Sequence, residues 1–314
     1  MSPPAPLEDW LGRRTYETGS TIADLLALKD QTISLILPTR NVAGPLGPML
    51  DAVGPCREAG LIDEIVIVDA ASTDGTRAVA ADHAVTVLQE SDLMPEFGPA
   101  LGKGDALWRG LSATTGELVV FLDTDTANFS ARFLIDLVAP LLADSTVHLV
   151  KGAFRRPFRS GGEATPDGGG RVTEILARPL LNLHIPDLAG FAQPLAGEVA
   201  ARRALLETLA FPVGYGVEIG NLIDAYAAVG LDGLAQAQLG VRENRHQPLR
   251  DLSAMAYQVL VAAQRRILGA GELDRLEPGR LLSPADGGLE ARLLAVDERP
   301  ALRTVVTPAT SRPA

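Results

Sequence analysis

Cysteine is nearly missing from this chain of 314 residues, where Cys56 stands alone. A single thiol permits neither an internal disulfide nor a thiolate zinc cluster, and a reducing, cytoplasmic setting is the expectation. Long apolar runs are missing too. No stretch of about 20 apolar residues occurs, and the opening MSPPAPLEDWLGRR has no basic segment followed by an apolar run, so neither a membrane span nor secretion is expected. Positive charge is scarce: 28 Lys and Arg face 39 Asp and Glu, a formal net charge of -11. That argues against broad nucleic-acid binding, which needs a positive surface to displace counterions from phosphates. Any bound phosphate must therefore meet a local basic pocket. No internal repeat or long low-complexity tract is present.

What is there alternates between strand and helix. Ser20 or Thr21 can cap a short helix through Leu28, and Thr32 to Leu37 reads as a buried strand closed by Pro38. Glu64 to Val68 is a strand, Asp74 to Ala81 a helix, and Ala84 to Leu88 a further strand. A helix from about Gly104 to Thr115 leads into Glu117 to Leu122, a continuous apolar run ending on Asp123. Such runs belong in a parallel sheet covered on both faces. The alternation predicts a doubly wound α/β domain with its ligands beyond the carboxyl ends of the strands. After about residue 145 come a strand at Val147 to Phe154, a Gly- and Pro-rich loop from Arg159 to Gly170, a helix opening at Arg171, and helical periodicity over 217–229 and 251–267. The last forty or so residues read as a loosely packed tail.

Asp123 and Asp125 follow the most apolar strand, two residues apart in a turn that can aim both carboxylates at one point. Two hard oxygen donors there suit Mg²⁺ or Mn²⁺ bridging to a diphosphate, the alternative being a solvated turn. Pro38-Thr39-Arg40-Asn41 combines a rigid turn with three hydrogen-bonding side chains, which suits a base and ribose. Asp69 to Thr76 does the same, or caps a helix through Ser72, Thr73 or Asp74. The segment Gly98 to Asp105 fails the P-loop spacing and puts Gly104 where a magnesium-binding hydroxyl belongs, leaving a glycine-flanked Lys103 at a helix start. Gly168-Gly169-Gly170-Arg171-Val172-Thr173 offers free amides, a guanidinium and a hydroxyl at a helix N-terminus, a concentrated anion site or else a hinge. Glu218, after Gly214-Tyr215-Gly216, serves the helix dipole or faces a sugar. The loop from Gly240 to Gln247 gathers Arg242, Asn244, Arg245 and His246, a mixture suited to pyrophosphate and metal. His83, His148 and His184 read as structural, and Trp108 and Met255 as helical core.

Over residues 20 to 265 the chain resembles the actinobacterial glucosyl-3-phosphoglycerate synthases and the closely similar mannosyl-3-phosphoglycerate synthases. The resemblance rests on the order of LPTRN, DAASTDGT, GPALGKGDALWR, FLDTD, VKGAFRRPF, GGGRVTE with ARPLLN, QPLAGE, GYGVEIG and LGVRENRHQ. It implies a GT-A glycosyltransferase fold, a homodimer, and transfer of glucose from UDP-glucose or GDP-glucose to D-3-phosphoglycerate with retention, aided by Mg²⁺ or Mn²⁺. Mannosyl transfer from GDP-mannose is the nearest alternative; a P-loop kinase and an inactive sugar-nucleotide binder are the others. Carried over by position, Pro38, Thr39, Arg40, Ser72, Lys103 and Thr124 line the nucleotide, Asp123 holds donor ribose or sugar, and Asp125 binds metal. Gly170, Arg171 and Thr173 grip phosphoglycerate, Tyr215 and Glu218 lie near the transferred sugar, and Arg242 lies near the diphosphate. Val42 and Ala43 stand where the mycobacterial-type enzymes carry an acidic pair against the base, and the metal histidine of those enzymes aligns with Asn244, leaving Asn244 and His246 both as candidate ligands. The implied division is an arm over 1–20, a nucleotide-sugar half over 21–145, an acceptor half over 146–268 and a tail over 269–314.

Overall fold

The computed structural model describes residues 5–17, 19–160, 163–165, 169–243, 247–285 and 287–305. Its centre is an eight-stranded sheet ordered β1-β11-β6-β9-β5-β2-β3-β4. These strands are β1 (Thr15–Tyr16), β2 (Ile33–Thr39), β3 (Glu64–Asp69), β4 (Thr86–Gln89), β5 (Leu118–Phe121), β6 (Leu149–Arg155), β9 (Val199–Arg202) and β11 (Leu234–Val241). Short hairpin strands β7 (Phe158–Ser160) and β8 (Glu163–Thr165) lie in the stretch expected to be a loop, and β10 is Phe211–Pro212.

Alternate residues of each strand face opposite cores. Ile33, Leu35 and Leu37 of β2 pack in one cluster with helices α2 (Ile22–Leu28), α3 (Ala43–Glu58), α4 (Thr76–Asp82) and α6 (Ala131–Ala143). Ile36 of β2, with Val66, Val68, Val119 and Phe121, faces the other cluster. There it meets α1 (Ala5–Arg14), α5 (Lys103–Ser112), α7 (Arg178–His184), α8 (Arg203–Leu206), α9 (Val217–Val229) and α10 (Leu249–Leu268). Thr21 caps α2 in a reciprocal pair with Asp24. No helix among the described residues is long and apolar enough to cross a membrane.

Two departures from the expected elements position the site. Strand β2 does not stop before Pro38 but runs to Thr39, paired with Asp69. This is possible because β5 ends opposite Ile36, so the missing N–H of Pro38 costs no ladder bond, and the Pro38 carbonyl accepts from Thr124 Oγ1 at 2.9 Å. The second departure is β9, which pairs antiparallel with both β5 and β6 inside an otherwise parallel sheet. Its amino end therefore lies at the edge where its neighbours have their carboxyl ends, delivering Ala196, Gly197 and Glu198 to the site.

The described residues after 269, expected to be a loosely packed tail, carry secondary structure: α11 (Ala270–Asp274), the largely exposed hairpin β12 (Arg280–Ala285) and β13 (Gly288–Leu293), and β14 (Glu298–Arg299), which pairs with β10. Arg299 then reaches buried Asp105 with Nη2 2.6 Å from Oδ2 and Nε 2.9 Å from Oδ1.

Candidate active site

The turn after β5 sorts its side chains by alternation. Thr124 and Thr126 are buried beneath the turn, while Asp123 and Asp125 line a cleft of about 880 Å³. Arg242, one residue past β11, lies under both carboxylates, with Nη2 3.0 Å from Asp123 Oδ2 and 3.1 Å from Asp125 Oδ1. Its Nε donates to Thr126 Oγ1 at 3.0 Å. Glu198 Oε1 also lies 2.8 Å from that nitrogen, but neither Glu198 oxygen has a hydrogen bond. It supplies charge to Arg242 without directional bonding.

Lys103, the first residue of α5, bridges two carboxylates, 2.5 Å from Asp123 Oδ1 and 2.6 Å from Glu218 Oε1 in the first turn of α9. Two glycines make this approach possible. A Cβ on Gly104 would run into the Pro212 carbonyl, and one on Gly197 would collide with both Asp123 oxygens and Lys103 Nζ. Burial opposes the charge on Asp123, but Lys103 and Arg242 outweigh it and hold the carboxyl well below the usual carboxylate range. Burial likewise opposes the Lys103 ammonium, and Asp123 and Glu218 overcome it, raising its pKa. Behind them Lys151 gives its ammonium to the Ala196 carbonyl at 2.9 Å, and burial pulls it down to about 8.

At the β2 and β3 ends, Asn41 and Ala71 both adopt positive φ, 54° and 53°, a strained conformation for residues with a Cβ. The two loops are stitched together. Asn41 N donates to Ser72 Oγ at 2.9 Å and Thr73 N to Asn41 Oδ1 at 2.9 Å. Val42 N donates to Thr76 Oγ1 and Ala43 N to Asp74 Oδ2, both at 3.0 Å. The Asp69-to-Thr76 side chains thus cap α3, the helix of the neighbouring loop, and Ser72 is absent from the described cleft lining. Pro38, Thr39, Arg40, Asp69, Ala70 and Ala71 do line it.

Gly170, Arg171 and Thr173 line the opposite end with Arg156. Gly170 has φ 70°, Arg171 Nη2 donates to the Gln247 carbonyl at 2.8 Å, and Thr173 opens a π-helical turn, Thr173–Ala177. Such turns concentrate at functional sites. Tyr215 is on the rim beside Glu218. Asn244 and His246 lie outside the described residues.

The cleft thus joins Pro38, Thr39, Arg40, Lys103, Asp123, Thr124, Asp125, Gly170, Arg171, Thr173, Tyr215, Glu218 and Arg242. Met255 also lines it, rather than serving only the core. Arg156, Gly197 and Glu198 carry no signature beyond the motifs that contain them, and Glu90 falls in none of those motifs. His83 is structural, its ring nitrogens 2.8 Å from the Val79 carbonyl and 3.0 Å from Asp51.

Among the described residues no group of three His, Cys, Asp or Glu side chains is poised to hold a metal. Asp123 is saturated by two cations, whereas the Asp125 side chain is 57% exposed and among the described residues meets only Arg242. A largely exposed carboxylate held from one side and facing a cleft fits Mg²⁺ or Mn²⁺, which take one or two carboxylates and complete their shell with substrate phosphates and water.

Residues 34–196 match the glycosyl transferase family 2 model, the class that this sheet and cleft define. The chain is 44% identical over 266 residues to the glucosyl-3-phosphoglycerate synthase of Mycolicibacterium paratuberculosis, covering 83% of this chain and 80% of that one. The mannosyl-3-phosphoglycerate synthase of Rubrobacter xylanophilus superposes with a TM-score of 0.87 at 42% identity, over 96% of this chain and 100% of the other. The glucosyl-3-phosphoglycerate synthase of Mycobacterium tuberculosis, in complex with Mn²⁺, UDP-glucose and phosphoglyceric acid, superposes at 0.80 with 38% identity, over 92% and 98%. The chain belongs to glycosyl transferase family 2 and, within it, to the glucosyl-3-phosphoglycerate synthase family.

Proposed function

We propose that this chain transfers glucose from UDP-glucose to D-3-phosphoglycerate with retention at the anomeric carbon. The observation that carries the reading is one continuous cleft with the β2 and β3 ends at one side, the Asp123–Lys103–Arg242–Glu218 ion network in the middle and Gly170, Arg171 and Thr173 at the other. Pro38, Thr39, Arg40 and Thr124 hold the nucleoside, and Asp123, Lys103 and Tyr215 the donor's ribose and sugar. Ser72 acts through Asn41. Asp125 takes a divalent cation, completed by Asn244 or His246; when bound it neutralises charge on the diphosphate.

Arg242, fixed from beneath, stabilises the leaving diphosphate as the anomeric C–O bond breaks. The glycerate hydroxyl attacks from the same face, forming the new C–O bond and passing its proton to the departing diphosphate oxygen. Retention through a covalent intermediate would need a carboxylate free to attack; Asp123 is clamped by Lys103 and Arg242, and Glu218 by Lys103. Glu218 instead orients sugar hydroxyls. Trapping a glycosyl adduct on any side chain would overturn this assignment.

The superposition with a mannosyl-3-phosphoglycerate synthase supports GDP-mannose as a second donor. Residues 21–145 hold the nucleotide, and residues 146–268 carry the acceptor cradle together with Tyr215, Glu218 and Arg242, which reach the donor's sugar and diphosphate. The exposed Leu282, Leu289 and Leu293 of the β12–β13 hairpin support a homodimer, and the lone cysteine a cytoplasmic setting. Incubating the protein with Mg²⁺, 3-phosphoglycerate and UDP-glucose, GDP-mannose or ATP tests the function. Product from a sugar nucleotide is expected; phosphoryl transfer from ATP, or binding without product, would overturn the reading.

A further inference from the structure

Strand β4 is the sheet's edge, three strands from β5, roughly 14 Å across at the usual strand spacing. With a diphosphate beside Asp123, ribose and base extend in that direction. The polar groups there are mostly spoken for. Val42 and Ala43 have no hydrogen-bonding side chain, and Asp69 already accepts from Ser72 N, Gln89 Nε2 and Thr39 Oγ1.

Glu90, directly after β4, differs. It lines the cleft and is 4% exposed, and its Oε1 is buried with no hydrogen-bond partner. The guanidiniums of α5 and β14 are directed away from this carboxyl group. Arg109 of α5 bonds Asp105, the backbone carbonyl of Glu90 and the carbonyls of Leu93 and Gly98, and Arg299 of β14 bonds Asp105 and the carbonyls of Phe97 and Pro99. A carboxyl used only for packing would be better replaced by an apolar side chain, because a buried oxygen without a donor is costly. Rotation about the broad terminal torsion can turn both oxygens to a ligand.

We propose that Glu90 reads the base of the donor, and that each protonation state of its carboxyl group admits a different base. Ionised, its two oxygens match the adjacent N1–H and N2–H donors of guanine. Protonated, its carbonyl accepts from uracil N3–H while its hydroxyl donates to O4. The inference rests on the donor-cleft reading above and adds the group that chooses among sugar nucleotides. Burial first, then Asp105, push the Glu90 carboxyl up to about 7 against the pull of Arg109, Arg40 and Arg299. Both forms are therefore populated near neutral pH, the protonated one below that value and the ionised one above it.

The test is the ratio of kcat/KM for GDP-glucose to that for UDP-glucose across pH, in which titrations of the diphosphate, metal site and acceptor common to both donors cancel. In the unaltered enzyme the ratio should rise roughly tenfold or more from about pH 6 to about pH 8.5. Glu90→Gln presents the carbonyl-plus-donor pattern of the protonated acid, so its ratio should stay flat and low. Binding of UDP and of GDP alone, by calorimetry, gives the same ratio for any variant that is folded but inactive, and thermal melting checks the fold. A pH-independent ratio in the unaltered enzyme, or a Glu90→Gln ratio that follows it, would overturn the proposal. If neither donor gives product yet the UDP-to-GDP binding ratio shifts with pH, the proposed reaction fails and the base-reading role stands.

Discussion

Glu198 Oε1 lies 2.8 Å from Arg242 Nε, yet the hydrogen on that nitrogen is given to Thr126 Oγ1. The glutamate therefore acts by charge alone, which lets Arg242 keep its remaining donors for Asp123 and Asp125 and, on the proposed mechanism, for the diphosphate. Burial raises the Glu198 pKa against the pull of Arg242, so the pair is held together by a balance of large opposing effects.

Glu198→Gln should leave Arg242 buried with one negative neighbour fewer. Removing one partner of such a pair costs about 3–5 kcal/mol, lessened here because Asp123 remains. We expect a lower melting temperature and a kcat reduced by roughly 10- to 100-fold, with acceptor KM little changed. Denaturant melts and steady-state kinetics read the two effects separately. Unaltered turnover would remove Glu198 from the support of Arg242.

Lys103→Met takes away the cation between Asp123 and Glu218. In the intact protein the Asp123 pKa is depressed, so its ionisation contributes stability that is present above the ordinary carboxylate range and is lost as pH falls through the lowered folded value. Without Lys103 the folded value rises toward the unfolded one, so the window over which this stability is lost narrows and the contribution itself shrinks. Melting temperature against pH should therefore show a lower neutral plateau and a shallower acid limb, and kcat should fall by about 100-fold or more. An acid limb of unchanged depth would show that Arg242 alone holds Asp123 ionised.

Arg171→Ala should raise KM for 3-phosphoglycerate steeply while UDP-glucose affinity stays within about twofold, because on the proposed acceptor role only the acceptor phosphate loses its partner. Initial rates with each substrate varied in turn decide the point. Unchanged acceptor kinetics would take the Gly170–Thr173 cradle out of the site.

These residues differ in how far sequence alone discloses them. Asp123 and Asp125 stand out because an apolar strand ends on them, and Lys103 because flanking glycines mark a helix start where only backbone fits. Such signals are local. Glu198 and Gly197 are silent because they reach the site through β9, whose antiparallel direction is set by its neighbours. Ser72, Thr73 and Asp74 read as caps for the helix that follows them, and Asp74 does accept from Thr76 N. The segment's other duty, capping α3 through Asp74 and Thr76, depends on strand order. The docking of β14 is silent for the same reason, since the partner of Arg299 is Asp105, 194 residues away.

That distant pair yields the last prediction. Asp105 is wholly buried and receives Arg109 Nε at 2.9 Å from its own helix and both Arg299 donors from β14. The two arginines also bind the carbonyls of the loop between Leu93 and Pro99, which leads into Lys103. Arg299→Ala thus withdraws one of two cations from a buried carboxylate and frees that loop, at a stability cost of about 3–5 kcal/mol. Because the loop sets the position of Lys103, donor KM should rise while acceptor KM holds. Chemical denaturation and donor kinetics on the same variant measure both, and a variant as stable as the parent with unchanged donor KM would mean that β14 merely covers the sheet.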